Sequence, residues 1–365
     1  MKIGIIGRHP ELENGFNAVM SILFAKGLTT HGSIVTLYLP DSECHNVKAL
    51  LHQFGIASLD NLNRYGSSFD IKITNIDGSG VDKNEDFIIW QSYRAQEDIL
   101  RKTLKYKGFF IVKNPPRIFS GYTSKDKAKY QGLLKNYDFI AASLYTDFKE
   151  SMKFGQDFIH YVPRGFDTSI LVPDKPKYPM IGLDKSVKAQ DSRDLSIRHI
   201  VNSGIKLQSL LPKTEYLSLR DNIKELNSKR IRLLGYPEFY EKFINKIWIY
   251  IPIDFDYSVH NKGKNILDNG THRYVGLYEN QVVETQLAGG LVVSRNGDIP
   301  EELVMMPDIS YVDSYDSNEV FEILINQINN FEQYSAETRC KAIEKHDYLK
   351  TTKTLLDLVS LKLKS

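Results

Sequence analysis

The stretch YVPRGFDTSILVPDKPKYP, residues 161–179, carries four prolines. Each proline fixes its φ and lacks an N–H, so helix cannot run through it. On both sides of this stretch the chain alternates between short apolar runs and helical stretches. Before it come KIGIIG (2–7), SIVTLYLP (33–40), DFIIW (86–90), GFFIVK (108–113) and YDFIAASL (137–144). After it come TEYLSL (214–219), KRIRLLGY (229–236), NKIWIYIPI (245–253), GGLVVS (289–294) and ISYVDS (309–314). Continuous apolar strands alternating with helices predict parallel sheets covered on both faces. Residues 161–179 are then an inter-domain linker. The expected fold is α/β, two tandem doubly wound Rossmann-like domains with a cleft between them.

The expected boundaries are 1–165 for an N-terminal domain and 166–344 for a C-terminal domain. FNAVMSILFAKGLTTHG (16–32) has helical spacing and is closed by Gly32. Pro40 is expected to stop the second strand. Helices are expected near 93–105, 124–135 and 146–154. The segment 341–365 predicts one basic amphipathic helix, its 345–365 part packing back on the first domain.

With 365 residues the chain is long enough for two cores. Its 42% hydrophobic and 25% charged composition is that of a globular protein, and its net charge is only +2. No run of about 20 apolar residues is present, so no transmembrane segment is expected. The start, MKIGIIG, reads as a strand rather than a signal peptide. Cys44 and Cys340 stand far apart without metal-ligand spacing, which suits a reducing, cytoplasmic compartment.

One loop and one charge run are candidates for chemistry. GRHPELENGFNAV (7–19) leads from the first strand into a helix. Gly7 and Gly15 let the backbone turn closely, and free N–H groups at the helix start attract phosphate or a sugar hydroxyl. The same loop carries His9, Glu11 and Glu13, any of which can deprotonate an acceptor hydroxyl. It lacks a G-x-G-x-x-G fingerprint, which speaks against a dinucleotide dehydrogenase. Residues 101–135 hold ten Lys and Arg against one acid, Asp126. Lys113, Arg117, Tyr122, Lys125, Lys127 and Lys129 lie in this run, with aromatic residues interleaved. A phosphate backbone with unstacked bases asks for that mixture. A solvated basic face or an anionic membrane surface answers it too.

YENQVVETQLAGGLVVSRNGDIPEEL (278–303) places one carboxylate, Glu284, in a mostly uncharged run. The run is expected to begin its helix at Glu284 and end at Gly289-Gly290. A carboxylate accepts two hydroxyl hydrogens at once, which matches the adjacent 2′ and 3′ hydroxyls of a ribose. The competing reading is a plain helix-dipole residue.

This stretch resembles the C-terminal domain of glycosyltransferases of the GT-B architecture, where a glutamate-bearing helix, a glycine turn and a strand grip the nucleotide ribose. VPRGFDTSILVP (162–173) is similar to the linker of the retaining group. Where that group has a first glutamate, this chain has Gly276, and Glu279 stands nearby out of register. The resemblance implies Glu284 on the ribose, with Glu279, Asn280 and Gln281 beside the donor. It implies Lys185, Lys188 and Arg193, in the loop after the second domain's first strand, on the diphosphate. The degenerate glutamate helix and the Lys-rich tail also resemble the T-even-type phage DNA glycosyltransferases.

The resemblance implies an enzyme that moves a sugar from a UDP-sugar to a hydroxyl, foremost a 5-hydroxymethylated base in duplex DNA. UDP-sugar is the co-substrate, no cofactor is tightly bound, and no motif asks for a divalent metal. Cell-surface polysaccharide or glycolipid synthesis is a second reading. A non-catalytic nucleotide or nucleic-acid binding protein is a third.

Overall fold

The computed structural model describes residues 1–7, 16–41, 69–75, 80–82, 84–91, 107–111, 137–143, 145, 148–149, 159–177, 179–183, 206–209, 228–230, 240–251, 275–295, 299–313 and 317–364. The chain divides into two compact units. The first joins Met1–Asp167 to Lys345–Ser365, and the second is Thr168–Glu344.

The first unit is built on β1 (Lys2–Ile6), α1 (Phe16–Thr30), β2 (Ile34–Asp41), β3 (Asp70–Asn75), β4 (Phe87–Trp90), β5 (Lys107–Ile111), β6 (Phe139–Ala142) and β7 (Ile159–Tyr161). The strands form one sheet in the order β3-β2-β1-β4-β5-β6-β7, with every pairing parallel. β4 and β6 are buried along their whole length, as a sheet with both faces covered demands. Glycines let its layers close up: a Cβ on Gly108 would lie 2.5 Å from the Phe139 ring, which stacks on Phe87 at 5.5 Å.

α1 ends as its sequence predicts. Gly32 takes φ 85, its N–H donates to Thr29 O, and the Ser33 N–H donates to Leu28 O, satisfying two orphan carbonyls. β2 runs one residue past Pro40, which pairs in register with Thr74. Proline there therefore does not stop the strand. It gives up one ladder donor near the strand's end, where that loss is small.

The second unit holds β8 (Met180–Leu183), β9 (Lys206–Ser209), β10 (Ser228–Arg230), β11 (Ile249–Ile251), α2 (Val275–Leu287) and β12 (Leu291–Val292). Its sheet order is β10-β9-β8-β11-β12, again parallel throughout. A small pair, β13 (Ser294–Arg295) and β14 (Tyr311–Val312), and helix α3 (Ser317–Asn329) complete the side beyond β12. Both sheets reverse direction of growth once, between β1 and β4 and between β8 and β11, so both are doubly wound.

The expected single C-terminal helix is two. α4 (Phe331–His346) and α5 (Tyr348–Lys364) are separated at Asp347, whose carboxylate accepts from the Leu349 N–H at 2.9 Å. Asp347 thus caps α5. The stripe Thr351, Thr352, Leu355, Leu356 and Val359 is buried. α5 packs on α1 so tightly that a Cβ on Gly27 would meet Thr352 Oγ1 at 2.2 Å.

The expected strand at 214–219 and the expected helices at 93–105 and 124–135 lie outside the described residues. Of 146–154, Phe148 and Lys149 are described and are helical.

Candidate functional site

In the second unit the connection from β11 to β12 runs through α2. Because β11 and β12 are parallel, α2 runs back against them. Its first turn lies toward the carboxyl ends of the strands and its last turn toward the amino end of β12. A Schellman turn closes it: Gly289, at φ 71, donates to Gln286 O at 3.0 Å, and Gly290 donates to Thr285 O at 2.8 Å. Two further carbonyls at this end are taken from α4. Arg339 Nη1 donates to Leu287 O at 2.6 Å, and Ser335 Oγ donates to Gly289 O at 2.6 Å. A guanidinium at a helix C-terminus is also favoured by the dipole.

Glu284 sits in the last stretch of α2, not at its opening. The helix starts at Val275 because Val282 and Val283 continue an apolar pattern that begins well upstream of the glutamate. The dipole at this end disfavours a negative charge. The side chain is only 2% exposed, so water does little to offset that penalty. Tyr240 Oη donates to Glu284 Oε1 at 2.8 Å. Tyr240 comes from a π-helical turn, Tyr240–Ile244, just ahead of β11.

Gln281 precedes Glu284 by one helical turn on the same face. Its Oε1 is buried and has no hydrogen-bond partner among the described residues. Asn280 is half-buried beside it. Glu279 belongs to the helix backbone, and its side chain lies outside the described residues. Gln286, on another face, ties α2 to the next segment: its Nε2 donates to Leu303 O at 2.8 Å, and its Oε1 accepts from the Met305 N–H at 2.7 Å. The face presented by Gln281 and Glu284 is therefore rich in acceptors and held rigid from behind.

The sequence reading missed Tyr240. It stands with Phe243, Ile244 and Ile247 in an apolar pattern that spells core, and all four are buried. Only the phenol hydroxyl, which a buried tyrosine normally bonds, hinted at a polar partner.

In the first unit the carboxyl ends of β1 and β4 flank the switch in strand order. Gly7 follows β1, and its N–H donates to Tyr38 O at 2.9 Å. Gln91 follows β4. His9, Glu11, Glu13 and Gly15, expected in the loop after β1, lie outside the described residues. So do Lys185, Lys188 and Arg193 in the loop after β8, and Lys113, Arg117, Tyr122, Lys125, Lys127 and Lys129.

One cation of the basic run is described, and it does not face solvent. Lys107 opens β5 at 8% exposure, its backbone N–H donating to Asp138 Oδ2 at 2.7 Å. Burial lowers its pKa, which the Asp138 carboxylate partly restores. Lys107 is thus an edge-of-core residue that does not belong to a phosphate-binding surface.

No protein-family model matches the chain, and no curated protein matches it. Solved structures do. A glycosyltransferase from Rickettsia africae ESF-5 superposes with a TM-score of 0.64 at 13% identity, over 100% of this chain and 99% of that one. UDP-GlcNAc 2-epimerase from Neisseria meningitidis bound to UDP-GlcNAc gives 0.61 at 10% identity, over 99% and 100%. Anabaena Alr3699/HepE in complex with UDP gives 0.60 at 11% identity, over 99% and 100%. At such identities the likeness establishes the fold. The chain has the GT-B architecture of two Rossmann-like domains, the architecture that its sequence resembles.

Proposed function

We propose that the protein is a glycosyltransferase that uses a UDP-sugar, with the nucleotide held along α2 of the second unit. The observation that carries this reading is the acceptor face of that helix. Gln281 Oε1 is buried and without a partner among the described residues, one turn from the Glu284 carboxylate. Vicinal ribose hydroxyls each bring a hydrogen, and only acceptors can receive them. The full-length likeness to structures described as bound to UDP and to UDP-GlcNAc supports the same ligand class. Lys185, Lys188 and Arg193 would neutralise the diphosphate, and charge stabilisation of that leaving group is the main catalytic service required. The loop with His9, Glu11, Glu13 and Gly15 would face the acceptor and supply its base.

The acceptor we favour is a hydroxymethylated base in duplex DNA. Its support is the charge of residues 101–135, ten cations against one acid, with Lys107 subtracted as buried. Lys113, Arg117, Lys125, Lys127 and Lys129 would meet phosphates, and Tyr122 would support an extruded base.

Titration with UDP tests the donor half. Glu284→Ala is expected to weaken UDP binding by about 1–3 kcal/mol, the penalty for stranding polar partners. Unchanged UDP affinity in the folded variant removes Glu284 from the donor site. Transfer from UDP-glucose to a hydroxymethylcytosine duplex tests the acceptor half. Absence of duplex binding at low salt, with transfer to an oligosaccharide instead, moves the protein to glycan synthesis.

A further inference from the structure

We propose that Gln91 is a substrate-binding residue of the first unit, its side-chain amide donating a hydrogen bond to an oxygen of the molecule that receives the sugar. Gln91 directly follows Trp90, the last residue of β4. Its backbone N–H donates to Ile6 O at 3.0 Å, which fixes it against the end of β1. It therefore stands at the carboxyl ends of the two strands that flank the switch in strand order, where ligands of doubly wound sheets gather. α1, the crossover that follows β1, begins at this same end of the sheet and directs its first N–H groups there.

The side chain of Gln91 is 0% exposed. Ser21, in the second turn of α1, donates its hydroxyl to Gln91 Oε1. That bond orients the amide and leaves Nε2 as the free end. Nε2 is buried and has no hydrogen-bond partner among the described residues. An amide nitrogen carries two hydrogens, and stranding a buried donor costs more than one neutral hydrogen bond returns. The bond to Ser21 alone therefore does not account for a glutamine here. Methionine here, with alanine at position 21, would leave neither the amide nor the Ser21 hydroxyl dry. A donor that is left dry at a ligand-binding end of the sheet is matched to an incoming acceptor atom, such as a hydroxyl, carbonyl, carboxylate or phosphate oxygen. A cation does not fit.

The identity of the ligand rests on the proposed function; the presence of a ligand contact at Gln91 does not. The two are separated by experiment on the full chain. The double variant Ser21→Ala/Gln91→Met, which removes the dry donor without stranding the Ser21 hydroxyl, is compared with wild type for melting temperature, UDP affinity, release of UDP from UDP-glucose into water, and KM for acceptor. The acceptor probes are a hydroxymethylcytosine duplex in one arm and methyl glucoside in the other, which tells a base-borne hydroxyl from a sugar-borne one. The variant is expected to melt at or above the wild-type temperature and to bind UDP within about twofold of wild type. KM for the acceptor is expected to rise about tenfold, the loss of roughly one hydrogen bond to a bound substrate. A lowered melting temperature, or an acceptor KM that does not move, overturns the proposal. If the wild type turns over no UDP-glucose in either arm, the proposed function falls and the melting temperature alone decides. A held or raised value then supports a donor kept for a ligand, and a lowered value assigns Gln91 to structure.

Discussion

His346 is 3% exposed in the first unit, at the junction of α4 and α5. Burial and the neighbouring Lys345 ammonium push its pKa down to about 4, although the nearby Arg164 backbone raises it in part. The unfolded chain takes up this proton near pH 6.5, and the folded chain refuses it until about pH 4. Between those values the unfolded state binds more protons, so stability rises with pH. The contribution is level above pH 6.5 and drains away as pH falls toward 4. It amounts to about 3 kcal/mol in total. Urea unfolding at pH 7 and pH 5 measures the loss. His346→Leu is expected to flatten it by about 2 kcal/mol over that interval, and an unchanged slope in the variant would place the sensitive group elsewhere.

At the scale of elements, the contact of α1 with α5 makes a prediction with two opposing terms. Gly27 is in the interior of α1, where alanine gains about 1 kcal/mol of helix propensity. The new Cβ would meet Thr352 at 2.2 to 2.8 Å, and such overpacking costs about 1–3 kcal/mol. The clash is close and comes from a buried side chain, so Gly27→Ala is expected to destabilise. Among the described residues Thr352 Oγ1 bonds only within its own helix, to Tyr348 O at 2.7 Å and Leu349 O at 3.1 Å. Thr352→Ala therefore makes room at small expense. The double variant is expected to be more stable than Gly27→Ala alone, by a double-mutant cycle in urea. A coupling of zero would mean that the helices do not meet here.

These elements also mark how much the residues reveal in advance. α1 and its Gly32 stop were legible because apolar spacing and a left-handed glycine are local signals. β1, β4, β5 and β6 were legible as unbroken apolar runs. β3, Asp70–Asn75, was not, because its sequence DIKITN alternates with charge as an edge strand does, and edge position is a tertiary fact. α5 was legible as an amphipathic face, yet its separation from α4 rests on Asp347, a residue that reads equally well as helix interior. The start of α2 ahead of Glu284 was hidden in the same way, since Tyr278, Glu279 and Asn280 signal nothing about where the first turn lies. Gln91 carried no sequence signal at all: a lone glutamine gains meaning only from its neighbours in space.

On the scale of the molecule, the first unit is discontinuous in sequence and the second is not. The buried stripe of α5 supplies Thr351, Thr352, Leu355, Leu356 and Val359 to the first unit's packing. A fragment of residues 168–344 is expected to unfold cooperatively by itself. A fragment of residues 1–167 is expected to lack that transition and to regain it when a peptide of residues 345–365 is added, as followed by circular dichroism in urea. Cooperative unfolding of 1–167 alone, at the midpoint of the intact chain, would show that α5 is an accessory. The return of the chain also orders events on the ribosome. At about 5–20 residues per second, synthesis of the 177 residues from Thr168 to Glu344 lasts roughly 10–35 s. For that time the first-made unit waits with the α5-facing side of α1 uncovered, while the later-made unit can already close. The nascent chain therefore finishes its second half before its first, and α1 is the segment a chaperone is expected to guard meanwhile.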